Sequence, residues 1–523
     1  MRIIDFFDRG AALAPDRAFL VDDEESRTYA QTRELSQGIA AALLAQGLGD
    51  ETNVAVYSPN AARAFECIIG LARAGAAWVP VNARNSIDDN CYILNNTEAE
   101  VLFYHSSFTE NVAVMREQCP SLGTFVCIDR ADGEAPALAD WIAGHSAPKE
   151  PQDIATDWPD RPDRLAMIIG SGGTTGAPKG VMLSSLNLET MIATMNLCMP
   201  SPEPPVHLVV APMTHAAGVM ALTLMGLSAS NVILKEFDAL TVMQAIEEHR
   251  VSHLFLPPTA IYVMLGHPRV REFDYSSLKY FIYAAAPMSV DKLKQAIEVF
   301  GPIMTQTFGQ AEAPMICTYF SPAEHTEALT GNHIGRLASC GRPTLLTPTE
   351  IMDDEGNILG PGQPGEIVVR GNMVMLGYYR NAEETAKVSE FGWHHTGDIG
   401  QKDEDGYVYI VDRLKDMIIS GGFNVYPSEV ERVIWSHEAV QDCAVVGVPD
   451  EKWGEAVKAV IELKPGAQVA GDEIIALCKE KLGSVKSPKS VDFIEALPRS
   501  PVGKVLKRDI RQRYWQGQDR QVG

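Results

Sequence analysis

The sequence predicts an α/β protein with a large N-terminal domain of helix-flanked sheets plus a β subdomain, and a small α+β C-terminal domain. Three observations lead to this prediction. Amphipathic helices alternate with short apolar strands up to about residue 160, short β-rich segments follow residue 335, and strands alternate with helices again after residue 414. A chain of 523 residues exceeds the usual size of one hydrophobic core. We therefore predict two domains, at residues 1–413 and 414–523.

Charge and cysteine content argue against several classes of protein. The chain has 44 Lys and Arg against 68 Asp and Glu, and its net charge of −24 disfavours binding to nucleic acid or to anionic membranes. The nine cysteines are scattered without Cys-x-x-Cys pairs, which predicts a reducing compartment and no zinc site. No signal peptide or long apolar run is present, so we expect a cytoplasmic protein without integral membrane association. A homodimer is compatible with the sequence, which does not fix the oligomeric state.

The N-terminal elements are predicted from the spacing of apolar residues. Helices are expected at Thr32–Gln46 and Ala61–Ala74, where one face is apolar. Buried strands are expected at Val54–Tyr57, Val79–Asn82 and Val101–Tyr104. Because helices separate these strands, the strands should form a largely parallel sheet with helices on its faces.

The most distinctive stretch is the glycine- and hydroxyl-rich run from Ser171 to Gly180, which lies between two apolar strands. Glycines let the backbone approach a ligand closely, and N–H groups, hydroxyls and a lysine suit anionic oxygens. We predict a polyphosphate-binding loop with the contacts Ser171, Gly172, Gly173, Thr174, Thr175, Gly176 and Lys179. The loop is not a Walker A motif, because Pro178 precedes the lysine and Gly180 follows it. A surface connection without a ligand is the alternative.

Three histidines are candidate site residues. His215 lies between a strand and a run of small residues, where it fits a cavity wall and a hydrogen-bonded core position equally well. His249 and His253 lack the glutamate of a zinc-protease motif and flank a predicted helix–strand junction. We interpret this pair as structural.

Further motifs follow the loop in a recognisable order. They are Tyr283–Met288, Thr307–Glu312, Gly392–Gly400, Asp405–Arg413 and Pro498–Arg508. Together with the loop, these motifs resemble those of the adenylate-forming superfamily, which includes acyl- and aryl-CoA synthetases, luciferases and the adenylation domains of peptide synthetases. The resemblance covers essentially the whole chain. It implies a mobile C-terminal lid that rotates about a hinge at Lys415.

The resemblance implies which residues contact the nucleotide. Phe308 packs on adenine, Asp398 accepts both ribose hydroxyls, and Arg413 donates to the ribose and phosphate side. The remaining implied nucleotide contacts are Ala285, Ala286, Pro287, Thr307, Gly309, Gln310 and Ile410. Ala311 stands where the family has a phosphate-contacting threonine, so Gln310 or a water would have to replace that contact.

The resemblance also implies the catalytic and substrate-binding residues. Lys504 is the adenylation lysine, and Glu312 with Thr174 binds Mg²⁺. The implied coenzyme A contacts are Ser420, Gly421, Gly422, Phe423 and Trp453. The implied acyl-pocket residues are His215, Ala216, Gly218, Tyr283, Ala284, Thr307 and Met315. The predicted cosubstrates and cofactor are therefore ATP, coenzyme A and Mg²⁺.

These features predict an ATP-dependent carboxylic acid–CoA ligase that passes through an acyl-adenylate. Ala284 and Thr307 replace glycines common in related aryl-CoA ligases, which predicts a pocket of restricted depth for a medium-chain, alicyclic or aryl acid. One alternative is a stand-alone adenylation enzyme that loads a carrier protein, although no carrier is attached. A luciferase-like oxygenase is a second alternative. A third is a non-catalytic nucleotide-binding regulator, which would keep Asp398 but have no need of Lys504.

Overall fold

The computed structural model describes most of the chain. The described residues are 1–50, 52–145, 162–171, 178–214, 216–286, 288–331, 333–421, 423–450, 453–499 and 505–515, and the side chains of Ala216 and Asn424 are outside this description. These residues form two compact units. The first takes its described residues from Met1–Gly173, Ala177–Thr349 and Val369–His394, and the second from Glu350–Val368 and His395–Gly523. A single boundary after residue 413 stays a prediction.

The described strands, numbered in chain order, form four sheets. They are β1 Ala18–Val21, β2 Ser26–Thr28, β3 Asn53–Ser58, β4 Ala77–Asn82, β5 Val101–Tyr104, β6 Thr124–Cys127, β7 Leu165–Gly170, β8 Gly180–Ser184, β9 Val206–Val209, β10 Ser230–Ile233, β11 His253–Leu256, β12 Tyr280–Tyr283, β13 Met304–Gln310, β14 Ala313–Phe320, β15 Arg342–Pro343, β16 Thr349–Met352, β17 Gly365–Val369, β18 Gly377–Tyr378, β19 His394–Lys402, β20 Val408–Arg413, β21 Ile418–Ser420, β22 Phe423–Val425, β23 Val440–Asp450, β24 Gly454–Leu463 and β25 Ser490–Ile494.

The described helices, also numbered in chain order, connect and cover these strands. They are α1 Ile3–Leu13, α2 Tyr29–Ala45, α3 Ala62–Ala74, α4 Ile87–Asn96, α5 Thr109–Gln118, α6 Leu138–His145, α7 Ser185–Cys198, α8 Ala216–Leu224, α9 Ala239–Glu248, α10 Pro258–Gly266, α11 Val290–Phe300, α12 Pro322–Thr330, α13 Ala382–Lys387, α14 Pro427–Trp435, α15 Gly471–Lys486 and α16 Lys507–Gln512.

The first unit contains the two largest sheets. One has the strand order β15-β14-β13-β12-β11-β9-β10-β1-β2, with parallel pairing from β13 to β1 and antiparallel strands at both ends. The other has the order β18-β8-β7-β4-β3-β5-β6 and is parallel from β7 to β6. The predicted helix-flanked, largely parallel sheet is therefore confirmed. Alternation of strand and helix along the chain produces this arrangement, because parallel neighbours need a crossover connection.

A single large apolar cluster joins both sheets of the first unit to their helices. Trp78 from β4, Phe65 from α3 and Ile282 from β12 belong to it and are almost completely buried. Ala284, Ala311 and Met315 pack against this cluster while keeping partial exposure. Two of the residues predicted to line the acyl pocket, Ala284 and Met315, thus lie at the margin of the core.

The second unit contains the two smaller sheets. The predicted β subdomain is the four-stranded sheet in the order β16-β17-β19-β20. The predicted glycine-turn hairpin is the antiparallel pair β21 and β22, and α14 follows it at Pro427. β24 lies between β21 and β23 and also pairs with β25, which gives a five-stranded sheet covered by α14 and α15. The predicted α+β character of this part of the chain is confirmed.

Candidate active site

The two strands predicted to flank the glycine-rich loop are confirmed, while the phosphate contacts of the loop stay a prediction. β7 and β8 are antiparallel, and Gly170 pairs with Gly180 at their open end. The backbone N–H of Ser171 donates to the Lys179 carbonyl at 2.8 Å, and the Lys179 N–H donates to the Ser171 Oγ at 3.1 Å. The predicted contacts Gly172, Gly173, Thr174, Thr175 and Gly176 lie outside the described residues. Hydrogen bonds therefore fix both ends of the loop.

The Lys179 side chain meets a carboxylate that the sequence did not single out. Its Nζ forms an ion pair with Glu384 of α13 and lies 4.8 Å from the centre of the Tyr378 ring. Glu384 also accepts a hydrogen bond from Lys387 Nζ at 2.7 Å. Hydrogen bonds from Lys179 and Lys387 lower the pKa of Glu384 to about 2. Glu384 is consequently a carboxylate at every physiological pH.

Glu312, the predicted magnesium ligand, is held by Tyr378, which the sequence did not single out. Tyr378 Oη donates to Glu312 Oε1 at 2.9 Å, and the backbone N–H of Met375 donates to the Glu312 carbonyl at 2.8 Å. Burial, together with the Glu312 charge, raises the pKa of Tyr378 well above its ordinary value. The phenol therefore stays protonated and orients one carboxylate oxygen of Glu312.

One asparagine ties the segment carrying Met375 and Tyr378 to the loop strand. Ser184 ends β8 and caps α7, where its Oγ accepts the N–H of Asn187. The Asn187 side-chain amide donates to the carbonyls of Asn372 at 2.8 Å and Val374 at 2.7 Å. Loop strand, helix α7 and the Glu312 support are thus connected by successive hydrogen bonds.

Two predicted site residues have unusual backbone conformations. Ala285 has φ of 71° and Met315 has φ of 68°, values that non-glycine residues adopt rarely. Met315 lies in β14, opposite an irregularity where the register with β13 shifts between Phe308 and Gln310. Strained backbone tends to be retained at ligand sites, where the surrounding packing holds it in place. Both residues lie in the segments predicted to contact adenine and the acyl group.

Gln310 and Thr307 differ in how their polar groups are satisfied. Gln310 Nε2 lies 3.3 Å from Nε2 of His394. Thr307 is 2% exposed, and its Oγ1 has no hydrogen-bond partner among the described residues. A buried hydroxyl without a partner is destabilising, so a ligand or water at this position would satisfy it. The compensation proposed for Ala311, through Gln310 or water, stays a prediction.

Tyr283 hydrogen-bonds within the protein. Its Oη lies 2.9 Å from His325 Nε2 and 3.1 Å from Gln306 Oε1. Burial lowers the pKa of His325 to about 4, so the ring is neutral at physiological pH. Since His325 Nδ1 donates to the Ser321 carbonyl, Nε2 is the acceptor for Tyr283. The predicted role of Tyr283 in the acyl pocket stays a prediction.

The structure describes some of the other predicted acyl-pocket residues but not all of them. Gly218 lies in the first turn of α8, where a Cβ would come within 1.8 Å of the Met213 carbonyl oxygen. Ala284 and Met315 pack against the same apolar cluster as Met213. His215 and the side chain of Ala216 lie outside the described residues, as does Pro287 of the adenine segment.

In the second unit, Asp398 and Arg413 face each other across β19 and β20. They are register partners, and Arg413 Nε lies 3.0 Å from Asp398 Oδ1. Ile410, another predicted contact, lies on the same strand as Arg413. The guanidinium occupies one oxygen of a buried carboxylate, and a carboxylate has several further acceptor positions. The predicted contact of Asp398 with the ribose hydroxyls stays a prediction.

Glu366 holds the turn that precedes Asp398, and the sequence analysis did not identify it. Its Oε1 accepts the Gly397 N–H at 2.8 Å, and its Oε2 lies 2.7 Å from His395 Nδ1. Thr396 Oγ1 accepts the Asp398 N–H at 3.2 Å and donates to the Ile367 carbonyl at 2.6 Å. β17 has the sequence Gly-Glu-Ile-Val-Val, in which no local pattern marks Glu366 as a structural residue.

The predicted hinge residue lies in a short turn of 3₁₀ helix after β20. Burial, together with neighbouring Arg413, lowers the pKa of Lys415. Asp416 is fixed by Arg511 of α16, with an Nη2–Oδ1 distance of 2.6 Å. The predicted adenylation lysine, Lys504, lies outside the described residues, and a bridge between Arg499 and Val505 flanks it.

Four of the predicted coenzyme A residues lie together at one edge of the five-stranded sheet. Ser420 pairs with Phe423 across the hairpin and with Gly454 of β24. The Gly421 N–H donates to the Trp453 carbonyl at 2.8 Å. Phe423 and Trp453 are 59% and 37% exposed, so two aromatic surfaces face solvent. Gly422 lies outside the described residues.

The donor set around Glu312 suits Mg²⁺. Tyr378 occupies Oε1, and a hard carboxylate oxygen is the type of ligand that Mg²⁺ takes alongside phosphates and waters. Within the described ranges, no cluster of three or more His, Cys, Asp or Glu side chains would hold a metal by itself. None of the described helices has the length and apolar character needed to cross a membrane.

Comparison with known proteins identifies the family. Residues 7–379 match the family described as AMP-binding enzyme, and residues 429–504 match the AMP-binding enzyme C-terminal domain. The medium/long-chain-fatty-acid–CoA ligase FadD8 of Mycobacterium tuberculosis is 37% identical over 491 residues, which are 91% of this chain and 84% of the relative. Feruloyl-CoA synthase of an Amycolatopsis species is 33% identical over 97% of this chain and 98% of its own length.

Solved structures agree with this assignment. Amide bond synthetase McbA from Marinactinospora thermotolerans has a TM-score of 0.88 and 28% identity, and the match covers 98% of this chain and 100% of that one. The resemblance drawn from the sequence motifs is confirmed, and enzymes of this type use ATP, Mg²⁺ and coenzyme A, as predicted. The chain belongs to the AMP-binding enzyme family within the adenylate-forming superfamily, and it is an enzyme of the AMP-forming acyl-CoA synthetase type.

Proposed function

We propose that this protein is a cytoplasmic ATP-dependent carboxylic acid–CoA ligase acting on a medium-chain, alicyclic or aryl acid. The observation that carries the proposal is near full-length similarity to two CoA-dependent acid-activating enzymes, one for fatty acids and one for a feruloyl group. The arrangement of Lys179, Glu312 and Tyr378 at the base of the loop supports it.

In the first half-reaction, a carboxylate oxygen of the acid attacks the α-phosphorus of ATP. The bond from that phosphorus to the bridging oxygen breaks, and pyrophosphate leaves with the electron pair. We assign Lys179 and Ser171 to the triphosphate, and Lys504 to the charge that develops on the α-phosphate. Preorganised positive groups of this kind are typically the largest contribution to such catalysis.

Magnesium, when bound, neutralises phosphate charge and favours departure of pyrophosphate. Glu312 and Thr174 would hold the ion, and Tyr378 would keep the Glu312 carboxylate oriented through its 2.9 Å hydrogen bond. Asp398 would accept the ribose hydroxyls, while Arg413 Nε contacts the Oδ1 atom of the same carboxylate. No residue of the chain is assigned as a nucleophile.

In the second half-reaction, the sulfur of coenzyme A attacks the acyl carbon of the adenylate. The bond from that carbon to the phosphate oxygen breaks, AMP leaves with the electron pair, and the thiol proton passes to solvent. Phe423 and Trp453 provide exposed aromatic surfaces on which the adenine of coenzyme A can stack. After adenylation, rotation of the C-terminal lid about Lys415 would make this edge of the sheet available to coenzyme A.

A second candidate is transfer of the acyl group to an amine. The similarity to amide bond synthetase McbA favours this candidate, since both reactions share the adenylation step. Loading of a carrier protein is a third variant of the same chemistry. These possibilities differ only in the nucleophile that attacks the acyl-adenylate.

The decisive experiment measures pyrophosphate and acyl products with a panel of short, medium, long-chain, alicyclic and aryl acids. Each acid is incubated with Mg²⁺ and ATP, either alone, with coenzyme A, or with a simple amine. We expect acid-dependent pyrophosphate release and a thioester in the coenzyme A arm. Amide formed in preference to thioester would establish the second candidate, and absence of acid-dependent pyrophosphate in every arm would contradict ligase activity.

A further inference from the structure

Lys179 is paired with a carboxylate on the helix that follows the edge strand β18 of the same sheet. β18 pairs with β8, with Tyr378 opposite Val181, and the Tyr379 N–H donates to the Gly180 carbonyl at 2.7 Å. The strand after Lys179 is therefore bonded directly to the segment that leads into α13. Glu384 lies in the first turn of that helix, and its N–H donates to the Asn381 side chain.

Hydrogen bonds fix the first turn of α13, which carries Glu384. Thr385 Oγ1 accepts the Tyr378 N–H at 2.9 Å and donates to the Asn381 carbonyl at 2.8 Å. These bonds connect the first turn of the helix back to β18. Because both members of the ion pair stand on hydrogen-bonded backbone, the Lys179–Glu384 contact is a property of the fold.

The two members of this pair have unequal sets of partners. Among the described residues, the Lys179 ammonium has Glu384 as its one carboxylate partner. Glu384 also contacts Lys387 at 2.7 Å, and Lys387 contacts Glu383 at 3.0 Å. If Lys179 leaves, Glu384 keeps a cation at hydrogen-bond distance. Separation of the pair therefore leaves no uncompensated carboxylate.

We propose that Glu384 is a positioning residue that acts as an exchangeable counter-ion for Lys179. In the nucleotide-free protein it neutralises Lys179 and holds the ammonium beside the loop. When a polyphosphate binds, its oxygens replace the carboxylate on Lys179, and Glu384 stays paired with Lys387. This inference rests on the proposed function, in which Lys179 contacts the triphosphate.

The exchange has a consequence for both substrate and product. A carboxylate at this position competes with phosphate oxygens for the same ammonium and repels them by its charge. It therefore weakens the binding of pyrophosphate as well as of ATP, and assists release of the product. Because Lys179 and Glu384 are both about one-third exposed, solvent screening keeps the competition modest.

The test measures binding of inorganic pyrophosphate and of Mg²⁺–ATP to the full-length protein by calorimetry, without acid or coenzyme A. Glu384→Gln should bind pyrophosphate about threefold to tenfold more tightly than wild type, because competition and repulsion are both removed. In Glu384→Asp the side chain is shorter by one methylene, which withdraws the charge from Lys179. Its pyrophosphate affinity should lie between those of wild type and Glu384→Gln.

Glu383→Gln is the matched control. It removes the same charge from the neighbouring residue, whose carboxylate also pairs with Lys387. It should leave pyrophosphate affinity within about twofold of wild type, as expected for a solvent-screened charge. A double-mutant cycle adds Lys179→Ala, in which the gain from Glu384→Gln should shrink to the part that comes from charge repulsion alone. A purely structural role for Glu384 would not produce that dependence on Lys179.

Three outcomes would overturn the inference. They are unchanged pyrophosphate affinity in Glu384→Gln, an equal gain in Glu383→Gln, and a gain of undiminished size in the Lys179→Ala background. Each is distinct from failure of the proposed function. A wild-type protein that binds ATP and forms acyl-CoA, but shows one of these outcomes, would refute only the role of Glu384. A wild-type protein that binds neither ATP nor pyrophosphate would refute the proposed function.

Discussion

Gly309 on β13 lies directly against the backbone of Met315 on β14. A Cβ on Gly309 would stand 2.7 Å from the Met315 carbonyl carbon, 2.8 Å from its nitrogen and 2.9 Å from the Ala313 carbonyl oxygen. All three neighbours are backbone atoms, so no side-chain rotation can make room. The irregular turn that carries Glu312 therefore depends on the absence of a side chain at residue 309.

Gly309→Ala should displace this turn and weaken nucleotide binding. Overpacking against fixed backbone typically costs about 1–3 kcal/mol, and we expect a lower unfolding temperature with at least a ~10-fold weaker affinity for Mg²⁺–ATP. Gly266→Ala is the control, because a Cβ there meets no atom within 4 Å. Wild-type ATP affinity in Gly309→Ala would show that the turn tolerates displacement.

Tyr378→Phe isolates the hydroxyl that orients Glu312. Phenylalanine keeps the ring beside Lys179 but removes the 2.9 Å hydrogen bond to Glu312 Oε1. We expect the Mg²⁺ concentration that half-saturates activity to rise several-fold, since loss of a bond to a buried carboxylate costs about 1–3 kcal/mol. The neighbouring Tyr379→Phe should leave Mg²⁺ dependence unchanged, and a similar shift in both variants would contradict this role.

Sequence reasoning found features that depend on neighbouring residues. It missed residues whose partners lie far away along the chain. Strands and helices were predictable because apolar periodicity is local. Glu384 was not, because the residue that gives it meaning, Lys179, is 205 positions away. Tyr378 and Glu312 are 66 positions apart and lack a motif that links them. The pairing of β18 with β8 brings Lys179 near Glu384, and the hydrogen bond from Met375 to Glu312 helps to place Tyr378 beside that carboxylate.

Backbone conformation was a second limit on what the sequence could predict. Ala285 and Met315 have left-handed φ values, which sequence reasoning normally assigns to glycine or asparagine. The bulge between β13 and β14 imposes this conformation on Met315, and no local pattern indicates it. Site residues of this kind can be located by family resemblance, but their geometry requires the three-dimensional structure.

Buried neutral histidines should make the protein less stable in mild acid. Burial lowers the pKa of His207 to about 4 and that of His253 to about 3, and for His253 nearby His207 and Lys279 act in the same direction. Between about pH 6.5 and pH 4 the unfolded chain binds protons that the folded chain excludes, so the free energy of unfolding falls as pH falls.

The His253→Gln variant tests this pH dependence. For wild type, this one histidine should contribute about 2 kcal/mol to the loss of unfolding free energy between pH 7 and pH 5. Urea unfolding of the variant should therefore show a smaller loss between those pH values, whatever its stability at pH 7. His249→Gln, at a half-exposed helix end, serves as the control. An unchanged pH dependence in His253→Gln would mean that the ring is protonated in the folded state.

Lys504→Ala should separate the two half-reactions. We expect formation of acyl-adenylate to fall by about 10²-fold or more, as for loss of one preorganised contact made in the transition state. Formation of thioester from pre-made acyl-AMP and coenzyme A should survive, because that step does not form charge on the α-phosphate. Equal loss in both half-reactions would contradict the assignment of Lys504 and indicate a folding defect.

The final prediction concerns the depth of the acyl pocket. Ala284 is partly buried beside the apolar cluster, and Thr307 is almost fully buried with an unsatisfied hydroxyl. If both limit depth, Ala284→Gly and Thr307→Gly should raise kcat/KM for longer acids relative to shorter ones. One methyl or methylene in an apolar pocket is worth roughly 1–3 kcal/mol, so the preference should change by about 10-fold or more.

Thr307→Val distinguishes bulk from polarity in this pocket, because valine keeps the volume and removes the hydroxyl. The chain-length profile of Thr307→Val should match wild type, while its stability should rise or stay level, since an unpaired buried hydroxyl is lost. A profile that shifts as far in Thr307→Val as in Thr307→Gly would assign the effect to the hydroxyl. Preference of the wild type for palmitate, or unchanged profiles in both glycine variants, would contradict a pocket of restricted depth.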